Sequence, residues 1–290
     1  MSQRTPIVGN AKFRAEQTVK QAVASPWVER LARFGYAAKG AVYIVVGLLA
    51  AMAAFGSGGK TTDTRGALAT IVAQPYGRLL LGAVALGLVG YAIWRFVQAG
   101  VDAEHKGSDA KGMAVRIGYV ISGLIHAGLA FTAMQLVVGS ESGSRRGSGD
   151  SASQDWTARL LDQPFGPWLV ALLGAVIIGI GLAQLFKAYT AKFREKLKLS
   201  EMSNTEQTWA TRIGRLGFAA RGVVFGVIGT FLILAALQSD PSQARGLGGA
   251  LRALEQQSFG SLILGVVAIG LVAYGVFMLV AARYRRIATH

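Results

Sequence analysis

Cysteine is absent from the 290 residues, which removes disulfides, thiolate metal sites and cysteine nucleophiles from any chemistry this chain performs. Charge is also scarce, at 16% of residues, and none of the 15 acidic residues falls inside a long apolar run. An intramembrane carboxylate pair is therefore missing, the three histidines lack metal-ligand spacing, and no serine has a His and an Asp at the same membrane depth. Neither an enzyme nor a cofactor is expected. The stretch Gly56-Ser57-Gly58-Gly59-Lys60 has the flavour of a phosphate loop, but it follows an apolar helix and lacks the full spacing.

What the chain has in excess is apolar sequence. Hydrophobic residues make up 52%, mean hydropathy is +0.42, and 38 residues are glycine, a composition suited to helices packed closely in lipid. The net charge of +15 lies mainly between apolar runs, so it reads as membrane topology rather than nucleic-acid binding. Six runs are about the roughly 20 residues needed to cross a hydrocarbon core as helix. They cover Tyr36–Phe55, Leu79–Val97, Ile117–Val138, Trp168–Phe186, Phe218–Leu237 and Leu262–Ala281. The expected fold class is an all-α integral membrane protein of six transmembrane helices.

Alternate connections differ sharply in basic residues. Residues 1–33, 95–116, 187–215 and 283–290 hold 20 Lys and Arg, against 8 in the opposite connections. The positive-inside rule then places both termini in the cytoplasm. The N-terminal tail has no apolar core of the kind a cleavable signal needs, and Ala11–Val23 reads either as a weakly amphipathic surface helix or as a mobile tail. Gly139–Ser153, rich in Ser and Gly, reads as a flexible external loop.

The chain repeats itself. Arg-x-Gly-aromatic-x-x-x-Gly opens the first, third and fifth spans, as Arg33 to Gly40, Arg116 to Gly123 and Arg215 to Gly222. A second phrase opens the even spans, as Gln74-Pro75-Tyr76-Gly77, Gln163-Pro164-Phe165-Gly166 and Gln257-Ser258-Phe259-Gly260. Ser258 stands where Pro would preset the backbone, so the third turn is expected to be looser. Between the two phrases each unit carries a short helical stretch with an apolar edge, including Leu68 and Ile71, Leu160 and Leu161, and Leu251 and Leu254, suited to the membrane interface. The organisation is a tail over 1–26 and three two-helix repeats over 27–100, 113–190 and 209–286. Units of two spans all enter from one side, so the repeats are parallel copies about an axis along the membrane normal. A pseudo-threefold six-helix bundle follows.

These phrases resemble the bacterial membrane proteins grouped as domain of unknown function 1206, which typically carry three such units. The resemblance runs from Trp27 to Arg283 and departs in its second copy, where Ser122 replaces Lys39 and Arg221. It implies fold and location, with no activity.

Candidate functional residues are polar groups within the spans, where they are costly unless they face protein or water. Lys39, Ser122 and Arg221 share one repeat position and form a candidate anionic site if they converge on the axis. The alternative is that the two cations snorkel to headgroups. Arg33, Arg116 and Arg215 are candidate contacts for lipid phosphates, or plain topology anchors. His126 stands where the other repeats have Tyr43 and Phe225, which favours aromatic packing over proton transfer. Gln98, Gln135 and Gln184 are candidates for interhelical hydrogen bonds. The functional expectation is a non-enzymatic structural or accessory scaffold that binds membrane lipids or a membrane protein complex and no nucleic acid. The alternatives are a channel or carrier for a small anionic or amphipathic solute and, last, a membrane enzyme acting on lipid.

Overall fold

The computed structural model describes residues 26–56, 61–100, 107, 109–139 and 149–286. The proposed surface helix at Ala11–Val23 and most of the glycine phrase ending at Lys60 lie outside them. Among the described residues the long helices are α1 (Pro26–Ala54), α3 (Gly77–Gly100), α4 (Ala110–Val138), α6 (Gly166–Thr190), α7 (Asn204–Gln238) and α9 (Gly260–Tyr284). All six are long and apolar enough to cross a membrane. Three short helices alternate with them, α2 (Thr64–Val72), α5 (Gly149–Leu161) and α8 (Leu247–Glu255). Each repeat is thus a long helix, a short helix and a second long helix.

Local sequence sets the ends. Asp63 and Asp109 accept hydrogen bonds from Gly66 N and Gly112 N at 2.8 and 3.0 Å, and Ser203 with Glu206 forms a capping box at the start of α7. The turns before α3, α6 and α9 are the same in all three repeats. Tyr76, Phe165 and Phe259 take φ of 59°, 61° and 59°, and Gly77 N, Gly166 N and Gly260 N donate to Gln74 O, Gln163 O and Gln257 O at 2.7, 2.8 and 2.7 Å. The turn at Ser258 is therefore as tight as its two Pro-bearing counterparts. The glycine fixes it, since a Cβ on Gly77, Gly166 or Gly260 would come within 2.3, 2.2 or 1.8 Å of a carbonyl oxygen in the preceding helix.

The apolar edges of α2 and α8 face the bundle. Leu68 and Leu251 are fully buried in the central core cluster. α5 packs against α8, and the Asp150 carboxylate accepts from Gly246 N and Gly249 N at 2.8 and 2.9 Å. Position 150 falls within the stretch expected to be a flexible loop. The described part of that stretch, from Gly149, is the first turn of α5, and from there Asp150 serves as a remote N-cap for α8.

The six long helices pack in the order α4, α3, α1, α9, α7, α6. Each helix in that series lies against the next. Only α4 and α6, the two ends of the series and the two spans of the second repeat, do not pack on one another. The pseudo-threefold ring is accordingly complete at five contacts and open at the sixth.

The two glycines of the first phrase explain the difference. The second glycine serves contacts between repeats. A Cβ on Gly40 would lie 2.7 Å from Gly275 O, one on Gly222 would lie 2.9 Å from Gly181 O, and one on Gly123 would lie 2.8 Å from the Phe96 ring. The first glycine serves the contact inside a repeat. Gly35 and Gly217 press on the backbones of Tyr91 and Tyr274, where a Cβ would meet atoms at 2.5 Å, whereas a Cβ on Gly118 would meet nothing within 4 Å. Beside them Gly87 fits Ala38 and Gly270 fits Ala220. The same two positions in the second repeat are Val176 and Ile121, which are 51% and 52% exposed. Branched side chains replace the small pair that lets backbones approach.

Candidate functional site

Two of the three residues at the shared repeat position come together near the centre of the ring. Lys39 on α1 is 6% exposed, six residues beyond Arg33 and so about 9 Å further along the helix. Its Nζ donates to Tyr91 Oη at 3.0 Å and stands 4.6 Å from the centroid of that ring. Arg221 on α7 repeats the arrangement, donating from Nη1 to Tyr274 Oη at 2.8 Å with its guanidinium 4.4 Å from the ring centre. The two cations share rings: Tyr43 lies 6.0 Å from Lys39 Nζ and 5.4 Å from the Arg221 guanidinium, and Tyr274 lies 6.0 Å from Lys39 Nζ. Cation–π attraction and phenol oxygens hold both groups inside the bundle, so neither snorkels outward.

A third cation, Arg95 of α3, joins them. Its Nε donates to Tyr91 Oη at 2.9 Å, a second nitrogen approaches the same oxygen, and Nη1 donates to the buried Gln98 at 2.9 Å. Tyr119 of α4 covers its guanidinium at 5.1 Å. The Trp94-Arg95-Phe96 sequence reads as an interfacial anchor, and a single helix gives no sign that Arg95 turns inward. The signal lay in the even-numbered spans compared with one another: Tyr91 and Tyr274 each stand fifteen residues after the turn aromatic, and Ile180 takes that place in the second repeat. The second repeat therefore loses both members of the pair, having Ser122 for the cation and Ile180 for the phenol.

Ser122 is half-buried and reaches neither cation through its hydroxyl. Its carbonyl oxygen lies 2.7 Å from His126 Nδ1, and a carbonyl only accepts, so Nδ1 carries the proton. The His126 ring packs on Tyr91 with centroids 4.5 Å apart, in keeping with the aromatic character of its repeat position. Gln184, at the repeat position of Arg95, is buried on α6 and its Oε1 has no donor.

Among the described residues no Asp or Glu pairs with Lys39, Arg95 or Arg221. Their acceptors include the Tyr91 and Tyr274 phenol oxygens and the Gln98 amide, and the Arg221 Nε is a buried donor with no acceptor. Three positive charges in one apolar bundle are costly where no counter-charge meets them among the described residues. The cost falls if an anion completes the set, and guanidinium groups suit phosphate or carboxylate oxygens.

The arginines of the first phrase have other partners. Arg33 donates to Ala282 O at 2.8 Å and to Arg283 O at the end of α9, and pairs with Glu29. Arg116 donates to Ala99 O and Gly100 O at 2.7 and 3.1 Å, at the end of α3. Both guanidinium groups are turned to helix C-termini, where carbonyls and the macrodipole favour positive charge. Of the three, only Arg215 is exposed.

Comparison with known proteins agrees with this threefold organisation. The family model described as Domain of Unknown Function (DUF1206) matches three tandem segments, residues 34–102, 117–191 and 216–285. The chain belongs to the DUF1206 family. It is similar to the uncharacterized protein YxxB of Bacillus subtilis (strain 168), at 38% identity over 274 residues that cover 94% of this chain and 97% of the relative. No solved structure matches. Each segment of this DUF1206 chain spans one pair of long helices, and the cation–phenol pairs Lys39–Tyr91 and Arg221–Tyr274 fall in the first and third.

Proposed function

We propose that this is a non-enzymatic membrane protein that holds an anionic group inside its helical ring at Lys39, Arg95 and Arg221. Its setting is the bacterial plasma membrane, with both termini in the cytoplasm. The observation that carries the reading is the convergence of three cations from three helices on shared tyrosines, with no carboxylate paired to them among the described residues. A purely structural bundle gains nothing from buried uncompensated charge, because apolar packing at the same positions is more stable. The emphasis thus moves from the scaffold expected from the sequence toward binding or carriage of an anionic solute.

The test is stabilisation of the purified full chain by inorganic phosphate. A bound ligand raises stability by RT ln(1 + [L]/Kd), so the midpoint of thermal unfolding should climb with phosphate concentration and not with matched chloride. Arg221→Gln and Arg95→Gln should flatten that dependence, and Arg221→Lys should restore part of it. A midpoint that responds equally to both salts in all four proteins sinks the reading.

A further inference from the structure

We infer that the anion is the phosphate of an anionic membrane phospholipid, with an acyl chain leaving the ring through the opening between α4 and α6. This deepens the anion-binding reading and rests on it. The opening is built into the second repeat. Ile121 and Ile125 on α4, and Val176 and Ile180 on α6, are all 46% or more exposed. At the same repeat positions the other two units have Ala38 and Ala220, Val42 and Val224, Gly87 and Gly270, and Tyr91 and Tyr274, all buried in the ring. Gly118 and Gly179 have open space where a side chain would stand, so α4 and α6 leave a slot between apolar walls.

The slot is continuous with the cations. α4, which forms one wall, also supplies Tyr119 against Arg95 and His126 against Tyr91. Ile180, on the other wall, occupies the position from which Tyr91 and Tyr274 hold Lys39 and Arg221. One end of the slot is cationic and hydrogen-bonding, and the rest is aliphatic. In a bilayer an apolar slot open to the side is filled by hydrocarbon, because an empty gap forfeits dispersion contacts and water finds no polar partners there. A molecule with a phosphate at one end and an alkyl chain at the other satisfies both parts. An anionic lipid of the surrounding membrane has that form and needs no aqueous entry path.

The test is retention of phosphatidylglycerol, against a zwitterionic lipid with the same acyl chains, by the full chain in non-ionic detergent, read by native mass spectrometry. The expected result is one phosphatidylglycerol per chain, retained at least tenfold over the zwitterionic lipid. Arg95→Gln and Arg221→Gln should remove that preference. Ile121→Phe with Val176→Phe fills the slot at two exposed positions and should abolish retention while leaving stabilisation by inorganic phosphate intact. Retention unchanged in the filled variant overturns the slot. Stabilisation by phosphate without retention of lipid overturns the lipid and leaves a soluble anion as the ligand. Loss of both responses in the unmodified chain overturns the anion site itself.

Discussion

Alanine at Gly35, Gly118 and Gly217 tests the open ring with the repeat as its own control. The three glycines hold one position in one motif, so any intrinsic effect of Gly→Ala is common to them. At Gly217 the new Cβ would meet Tyr274 Cα at 2.5 Å, and at Gly35 it would meet Tyr91 N at 2.5 Å. Non-bonded carbons settle at about 3.5–4.0 Å, so each helix pair must separate by about 1 Å. The obstructing atoms are backbone and cannot rotate away. Overpacking of this kind costs about 1–3 kcal/mol. Displacing Tyr274 also strains its bond to Arg221, and a hydrogen bond to a charged group is worth about 1.5–3 kcal/mol. Against this, alanine gains at most about 1 kcal/mol of helix propensity. Gly35→Ala and Gly217→Ala should each lose about 2–4 kcal/mol, while Gly118→Ala, with nothing within 4 Å, should be neutral or stabilised by up to about 1 kcal/mol. Unfolding by titration of SDS into detergent-solubilised protein measures all three. A loss at Gly118 equal to the other two would mean that α4 and α6 pack like their counterparts, which refutes the opening.

The other predictions concern helix ends. Arg33→Gln removes a charged donor from the last carbonyls of α9 and should cost about 2 kcal/mol in the same SDS titration, whereas Arg215→Gln, at an exposed site, should stay within about 0.5 kcal/mol. Asp150→Ala uncaps α8 and should cost about 1–2 kcal/mol, with hydrogen exchange accelerating at Gly246 and Gly249 and not in α2. The carboxyl of Asp240, in the loop after α7, is held below the usual aspartate range by hydrogen bonds from the Ser242 hydroxyl and amide. A depressed folded-state pKa stabilises above the unfolded value of about 3.9 and is lost as pH falls through the folded one. Exchange at the Ser242 amide should therefore be flat from neutral pH to the carboxylate range, after correction for intrinsic rates, and lose protection only below it. Protection lost at higher pH would refute the assignment.

Much of the fold was legible in the sequence because span length and repeat phrases are properties of single segments. Six spans and three units follow from hydropathy and self-comparison alone. The site was half legible. Lys39 and Arg221 stood out as charges inside apolar runs, but whether a lysine snorkels or turns inward depends on which neighbour faces it, and helix rotation is set by packing. Arg95 hid beside aromatic residues that mimic an interfacial belt. Tyr91 and Tyr274 hid as ordinary apolar-run aromatics. The missing contact in the second repeat was written as Ile121, Val176 and Ile180 in place of Ala, Gly and Tyr, yet these are unremarkable residues until the partner positions are known.

The packing order gives the chain a second grammar that cuts across its repeats. Reading along the ring, α4, α3 and α1 form one continuous block and α6, α7 and α9 another, joined through the Gly40–Gly275 contact of α1 with α9. The middle repeat is shared between the blocks, one span to each. A break in the chain between residues 139 and 149 would thus leave every packed pair of long helices on one piece except α1 with α9. Two separately translated pieces, each a self-contained trio of spans, should recognise one another in the membrane and restore the whole, while a break between the first and second repeats would strand α4 from the helix that holds it.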